Sequence, residues 1–489
     1  MDPGMTRRDT AHLSRDADWS GVHVAVAGIG VAGLAAADAL LSLGARVSAV
    51  DAGDGPRQQE RARVLEVLGA SVRLGDGDTL PEGVDLLVVS PGLPPHAPVI
   101  AAARSAAVPV WGELELAWRL RPTAGAAPWL VVTGTNGKTT TTLMLEAMLR
   151  AAGMRTVAAG NIGVSMVEVV MGESTPQGEL DAIAVEVGAP QLPFLHSMSP
   201  LASVCLNIAE DHVDLFGSMD AYVAAKARIY ERTQLAAVYN VADPVTRRMV
   251  EEADVVEGCR AIGFTLGTPD ISMLGVVEDI LVDRAFIPNR AEAAQELATV
   301  ADVQPNAPHN VANALAAAAL ARAAGVPPAA VRDGLRGFVP AGHRIADVGV
   351  VGGVRYVDDS KATNCHAAQT SLQAYDRVVW IAGGLAKGQS FDDLIIATGD
   401  HMVGVVLLGA DRAVIGEALA RHAPDLPIVE VTGTDTGAMA EVVAAAAAMA
   451  GPGDTVLLAP GCASWDMFRD YAHRGEAFAA AVAALQEVS

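Results

Sequence analysis

The hydrophobic pattern alternates between short, unbroken apolar runs and longer Ala/Leu-rich stretches. Runs such as Val22–Ala27, Trp129–Thr133 and Val378–Ala382 read as strands buried on both faces, and the stretches between them as helices. Val22–Ala27 ends in Gly28-Ile-Gly30-Val-Ala-Gly33, followed by a helix to Leu43, a stop at Gly44 and a strand over Arg46–Val50 ending at Asp51. Val84–Ser90 then runs into the turn Pro91-Gly92, and residues 121–128, rich in Pro and small side chains, have linker composition. A second series begins with Trp129–Thr133 and a helix from Lys138 to about Ala152. It continues with strands at Ala182–Val187 and Ser203–Asn207 and an Ala-rich helix at Asn310–Ala324, stopped by Gly325 and Pro327. Beyond a break near Pro340, strands are expected at Arg355–Val357, Val378–Ala382, Val403–Leu408, Ile428–Val431 and Thr455–Ala459.

Alternating β and α segments imply mostly parallel sheets covered by helices. The expected fold is three consecutive α/β domains behind a loose tail at residues 1–20. These are a Rossmann-like N-terminal domain (21–125), a central P-loop-type ATPase domain (126–341) and a Rossmann-like C-terminal domain (342–489).

Composition narrows the function. The 489 residues are 51% hydrophobic and 4% aromatic, with 34 Lys+Arg against 57 Asp+Glu and a net charge of −23. Such a chain can fill several cores, and it lacks the basic stripes of a nucleic-acid binder. The apolar runs fall short of the ~18 residues of a membrane span, and residues 1–20 do not resemble a signal peptide. Cys205, Cys259, Cys365 and Cys462 lie far apart without CxxC spacing, as expected of reduced thiols in a cytoplasmic protein. The oligomeric state is open, with a monomer as the expectation.

The strongest chemical signal is Thr133-Gly-Thr-Asn-Gly-Lys-Thr-Thr140, set between a strand and a helix. Phosphate binding needs backbone N–H groups that approach closely, which Gly134 and Gly137 allow around Thr135 and Asn136, and a helix N-terminus aimed at the anion. Lys138 would reach the β/γ-phosphates of ATP, and Thr139, followed by Thr140, would offer a hydroxyl to Mg²⁺. The usual first glycine would fall at Val132, so the loop is a shortened variant.

Other candidates are weaker alone. Gly28-x-Gly30-x-x-Gly33 with Asp51 fits a dinucleotide fingerprint, but any tight strand-to-helix turn favours such glycines. Glu186 and His212 end strands at the same sheet edge as the phosphate loop, where a carboxylate and an imidazole could serve a second Mg²⁺. Lys226 reads as a solvated helical lysine, and Pro308-His-Asn310 as a helix N-terminus. Asp358-Asp359-Ser360-Lys361-Ala362-Thr363-Asn364, Gly383-Gly384-Leu-Ala-Lys387 and Gly461-Cys-Ala-Ser464-Trp465 each follow a strand. Together they suggest a site for a small anion.

The order of these motifs, with Glu210-Asp-His-Val-Asp214, Tyr222-Val-Ala-Ala-Lys226 and His343-Arg344, resembles the Mur ligases over nearly the whole chain beyond residue 20. The last motifs look like those of the D-glutamate-adding branch. That resemblance implies ATP-dependent addition of D-glutamate to the L-alanine carboxylate of UDP-N-acetylmuramoyl-L-alanine through an acyl phosphate, in peptidoglycan precursor synthesis. By the same resemblance, Gly30, Val31, Ala32, Asp51, Ser90, Gly92 and Asn161 would contact the UDP-substrate. Asn310, Arg344, Asp359 and Lys361 would lie on the ATP side. Thr363, Lys387, Ser464 and Tyr471 would hold D-glutamate. Thr139, Glu186, His212 and Lys226, the last as a carbamate, would serve two Mg²⁺ ions. Departures from the family pattern are Ala32 and Ala35 in the first turn, Gly188-Ala189-Pro190 after Glu186, Leu215, and Tyr471 in place of Phe.

Three alternatives bound this reading. A folylpolyglutamate synthase shares a shortened phosphate loop but lacks an N-terminal UDP domain. An NAD-dependent oxidoreductase leaves Gly134–Thr140 unexplained, and a non-catalytic nucleotide scaffold does not need the lysines of the third part.

Overall fold

Parallel strands covered on both faces by helices leave no room for polar side chains along their length, and the three apolar series become three separate sheets. The computed structural model describes residues 8–172, 178–211, 213–340 and 342–488. The first sheet has five parallel strands in the spatial order Ser71–Leu74, Arg46–Asp51, His23–Ala27, Leu86–Val89 and Val110–Gly112. That is the Rossmann-like arrangement, with the glycine-rich turn leaving the middle strand.

The second sheet has nine strands. Its parallel part runs Arg260–Phe264, Ala236–Asn240, Ala202–Cys205, Trp129–Thr133, Ala182–Glu186, Thr156–Gly160. Trp129–Thr133, which feeds the phosphate loop, therefore lies between the strands ending at Cys205 and Glu186. Met273–Val277 joins Arg260–Phe264 in parallel at the far edge, and Ile280–Asp283 and Gln295–Thr299 extend it as an antiparallel meander. The helix Pro308–Ala323 is almost wholly buried because alanines let it lie close against sheet and neighbouring helix.

The third sheet has six strands, ordered Ala346–Val351, Val354–Asp358, Thr455–Leu458, Val378–Gly383, Met402–Leu408 and Ile428–Glu430. Only the first pairing is antiparallel.

The chain divides into two compact units: Met1–Ile208 with His212–Phe338, and Ala209–Asp211 with Val339–Ser489. The first unit contains both of the first two sheets. One hydrophobic core runs through them, with Trp118 and Trp129 edge to face at 5.0 Å between ring centroids. The helix Glu113–Leu120 adds polar ties: Glu113 accepts from the Ser165 hydroxyl (2.6 Å) and the Val167 amide (3.0 Å), and Glu115 from the Ser197 hydroxyl (2.6 Å). Burial pushes the Glu113 carboxyl above the ordinary range, against the pull of these donors.

The expectation of a loose tail through residue 20 fails over its second half. Leu13 and Trp19 are buried in the first core, and Arg15 donates to the Val170 carbonyl at 2.8 Å. A tail anchored by a fully buried indole is part of the fold. All four cysteines are unpaired thiols; Cys205 and Cys462 are buried, and Cys259 and Cys365 half-buried. No helix among the described residues is long and apolar enough to cross a membrane.

Candidate active site

The phosphate loop forms as its sequence requires. Gly137 caps the helix Lys138–Ala151 at φ +84°, and a Cβ there would come within 2.4 Å of Asn313 Oδ1. Only glycine satisfies both the left-handed backbone and that approach. Asn313 in turn donates to Asn310 Oδ1 at 3.3 Å, so the predicted Asn310 belongs to a pair at the loop. The loop's outer turn is clamped by Asn207, whose Oδ1 accepts from the Asn136 amide (2.8 Å) and whose Nδ2 donates to the Asn136 carbonyl (3.2 Å). Thr139 and Thr140 are half-buried in the helix's first turn.

Two lysines converge on this loop. Lys138 Nζ donates to the carbonyls of Gly134 (2.9 Å) and Thr135 (2.8 Å). Lys226 Nζ donates to the same Gly134 carbonyl at 2.7 Å and to Thr133 Oγ1 at 3.2 Å. The reading of Lys226 as a solvated lysine is therefore overturned: it is 1% exposed. The helix Met219–Ala227 places Tyr222 and Lys226 one turn apart on its inner face. Tyr222, fully buried, shares a hydrogen bond with Thr135 Oγ1 at 3.0 Å, and its ring lies 5.2 Å from Lys226 Nζ.

Glu186 ends the strand beside Thr133 and is 2% exposed. Its Oε1 accepts from Asn161 Nδ2 at 2.9 Å, while Oε2 is buried without a hydrogen-bond partner among the described residues. The structure thus joins a residue expected at the substrate to one expected at a metal. Gly188 packs on this pair, since a Cβ there would sit 2.9 Å from Asn161 Oδ1. Gln191 closes the turn by accepting from the Gly188 amide at 2.8 Å. His212 lies outside the described residues. Among the described residues, no group of three or more His, Cys, Asp or Glu side chains gathers to hold a metal.

The first glycine-rich turn is built differently. A Cβ on Gly33 would overlap the Gly28 carbonyl at 1.8 Å, so the helix Val31–Ser42 can start this close to the strand only with glycine there. Asp51 holds the turn from within, Oδ2 accepting from the Ile29 amide and Oδ1 from the Gly53 amide, both at 2.8 Å. Ser90 Oγ donates to the Gly28 carbonyl at 2.6 Å. Gly30 and Gly92 have open space where a side chain would project, and Val31 is 57% exposed, with Ala32 beside it half-buried.

In the second unit, the predicted residues cluster at the carboxyl ends of Val354–Asp358, Thr455–Leu458 and Val378–Gly383, adjacent strands of one sheet. Lys361 Nζ lies 4.0 Å from the Tyr471 ring centroid, and Lys387 Nζ 4.9 Å from that of Trp465. Ser464 is buried and Thr363 half-buried. Asp359 is buried, and burial pushes its carboxyl up to about 6, opposed by the Ser371 hydroxyl that donates to it and by the charge of Arg344. His343 Nδ1 meets Asp358 Oδ2 at 2.6 Å.

Sequence reasoning missed Tyr222, Asn207, Asn313 and the buried Arg474. The i,i+4 spacing of Tyr222 and Lys226 was the available signal for the first; a lone arginine in a helix gave none.

Three family models match in register with the three sheets: the Mur ligase MurD-like N-terminal domain over 22–112, the Mur ligase middle domain over 132–321 and the Mur ligase glutamate ligase domain over 343–462. The chain belongs to the Mur ligase family. It is 60% identical over 468 residues to the UDP-N-acetylmuramoylalanine–D-glutamate ligase of Streptomyces avermitilis, covering 96% of this chain and 99% of that relative. The enzyme of the same name from Thermobifida fusca is 54% identical over 465 residues, covering 95% and 99%. Among solved structures, the UDP-N-acetylmuramate–alanine ligase of Thermotoga maritima superposes with a TM-score of 0.56 at 19% identity, covering 96% of this chain and 100% of that one. That likeness establishes the fold.

Proposed function

We propose that this chain is an ATP-dependent ligase that adds D-glutamate to the L-alanine carboxylate of UDP-N-acetylmuramoyl-L-alanine, a cytoplasmic step of peptidoglycan precursor synthesis carried out by a monomer. The name shared by relatives at 60% and 54% identity supports the substrate pair. The observation that carries the chemistry is the convergence of Lys138 and Lys226 on the Gly134 carbonyl, beside the half-satisfied carboxylate of Glu186.

A carboxylate is a poor electrophile. Its oxygen must attack the γ-phosphorus of ATP, giving an acyl phosphate and ADP. The amine of D-glutamate then attacks the acyl carbon, loses a proton and expels inorganic phosphate from the tetrahedral intermediate. The first step brings two anions together, so positive charge at the loop is the central requirement. The N-terminus of the helix Lys138–Ala151, entered through Gly137, faces the phosphates, while Asn207 holds the Thr135 and Asn136 amides (3.0 and 2.8 Å), and Lys138 places its ammonium beside the phosphates. Bound Mg²⁺ would supply further neutralisation of the transferring phosphoryl group. Glu186 fits such an ion, because a buried carboxylate oxygen without a donor calls for a cation. Thr139, His212 and Lys226 complete the assignment to two ions.

Carbamate formation at Lys226 would join the neutral amine nitrogen to CO₂ with loss of a proton. One N–H remains to donate to the Gly134 carbonyl. The first part of the chain, 21–125, takes the UDP moiety through Gly30, Val31, Ala32, Asp51, Ser90 and Gly92, with Asn161 from the second part. The second, 126–341, takes ATP, with Asn310. The third, 342–489, takes D-glutamate through Thr363, Lys387, Ser464 and Tyr471, and Arg344, Asp359 and Lys361 are its residues proposed for the nucleotide.

The test is a phosphate-release assay on the purified protein. Phosphate should appear only when ATP, Mg²⁺, UDP-N-acetylmuramoyl-L-alanine and D-glutamate are all present. Release with meso-diaminopimelate but not with D-glutamate would reassign the enzyme within its family.

A further inference from the structure

Arg474 is 1% exposed, in the first turns of the helix Tyr471–Val488. Its guanidinium reaches the ends of three adjacent strands at once. Nε donates to Ser360 Oγ (3.0 Å), and one terminal nitrogen to the Ser360 and Cys462 carbonyls (2.8 and 3.1 Å). The other terminal nitrogen donates to the Cys462 carbonyl (3.1 Å) and, more weakly, the Gly383 carbonyl (3.4 Å). Ser360 Oγ passes the contact on, donating to the Tyr471 carbonyl at 2.7 Å. Among the described residues no carboxylate pairs with this cation, and burial pulls it down to about 10.

The three loops so joined are those that carry the proposed amino-acid site. Ser360 precedes Lys361 and Thr363, Gly383 precedes Lys387, and Cys462 precedes Ser464. Backbone bonds tie the loops pairwise: Gly461 to Ala362 (2.8 Å), and Leu385 with Ala463 in both directions (2.9 and 3.0 Å). Arg474 contacts all three with one rigid group, through the planar fork of donors that lysine lacks.

We propose that Arg474 is the positioning residue of the amino-acid site: it sets the mutual spacing of Thr363, Lys387, Ser464 and Tyr471 without touching the substrate. The inference rests on the functional reading above. A dicarboxylate is recognised by groups held at fixed separation, so loosening the loops weakens its capture most, the nucleotide's less, and leaves the UDP-sugar bound.

The experiment measures KM for each of the three substrates in the wild type and in Arg474→Lys, Arg474→Met and Arg474→Ala, alongside thermal unfolding. Arg474→Lys should raise the KM for D-glutamate about tenfold and Arg474→Met about 100-fold, with the KM for the UDP-substrate held within about twofold and that for ATP, which Lys361 of the Ser360 loop also serves, rising less than that for D-glutamate. Millimolar guanidinium should restore part of the activity of Arg474→Ala. Unchanged KM for D-glutamate in Arg474→Lys and Arg474→Met would overturn the inference, as would a parallel rise for all three substrates. A wild type that uses a different amino acid would instead overturn the D-glutamate reading, and the same comparison would then be made with that amino acid's KM.

Discussion

The two glycine-rich turns of the first unit each leave a central strand and open a helix, yet they are finished in opposite ways. At Gly28–Gly33 the polar side chains face inward: both oxygens of Asp51 and the hydroxyl of Ser90 bond the turn's own backbone. At Gly134–Thr140 two lysines from separate helices meet at one carbonyl. The first turn is a shaped ledge whose own charges, the Asp51 carboxylate and the Arg61 guanidinium that donates to the Ile29 carbonyl (3.2 Å), are engaged with its backbone. The second gathers charge: Lys138 as a cation and, on the proposed carbamate, Lys226 as an anion that would hold Mg²⁺. A ledge suits a diphosphate that is bound and carried through unchanged, because it needs only alignment. A phosphoryl group in transfer changes its charge distribution, and compensating it takes mobile and fixed positive charge.

Removing either charged group of the second turn should therefore hurt chemistry, and disturbing the ledge should hurt binding. The largest effect is expected for Lys138→Ala: phosphate release should fall about 1,000-fold or more, with the affinity for UDP-N-acetylmuramoyl-L-alanine unchanged by calorimetry. Equal loss at both would erase the distinction between the turns. Lys226→Ala comes next. Its activity should fall about 100-fold and recover in part with acetate or formate, small anions that stand in for a carbamate. Full activity without such an additive would remove the carbamate from the mechanism.

The sequence made the second turn legible because glycine spacing, a lysine and a hydroxyl coincide between an unmistakable strand and helix. It did not reveal that Lys226 is buried. In an alanine-rich helix a buried and a solvated lysine share the same neighbours, and only the Tyr222–Thr135 hydrogen bond distinguishes the inward face. The inward use of Asp51 was equally hidden, since a carboxylate at a strand end suits a ribose and a backbone amide alike. The parallel strands with continuous apolar runs were readable; Ser71–Leu74, Val110–Gly112, Thr156–Gly160, Ala236–Asn240 and Arg260–Phe264 were not named. The meander Met273–Thr299 and the edge strand Ala346–Val351 also went unread, being partly exposed. Arg474 shows the same limit: its role depends on loops more than 90 residues away in sequence at Gly383, which no local pattern can report.

The ledge provides the smaller tests. Asp51→Asn keeps an acceptor for one amide but turns an N–H toward the other, so the turn loosens. The KM for the UDP-substrate should rise about tenfold while that for ATP stays put. If kcat fell and both KM values held, Asp51 would belong with the chemistry and the two turns would be alike.

Ser90→Ala should have the smallest effect. The hydroxyl supplies one short bond to the Gly28 carbonyl, and a Cβ on Gly33 would come within 2.6 Å of the same Ser90 oxygen. Alanine removes the bond and opens a small gap without introducing a charge. Losing one neutral hydrogen bond costs about 1 kcal/mol, so the KM for the UDP-substrate should rise about threefold to fivefold, with kcat unchanged. A larger rise, approaching that of Asp51→Asn, would mean that the hydroxyl also bonds the ligand directly. Ser90→Thr separates the two cases. It keeps the oxygen but adds a methyl group to the packed side of the turn. A turn that needs only its internal bond should lose affinity through crowding, with a lowered melting temperature. A direct ligand contact should leave the melting temperature at the wild-type value and change only KM.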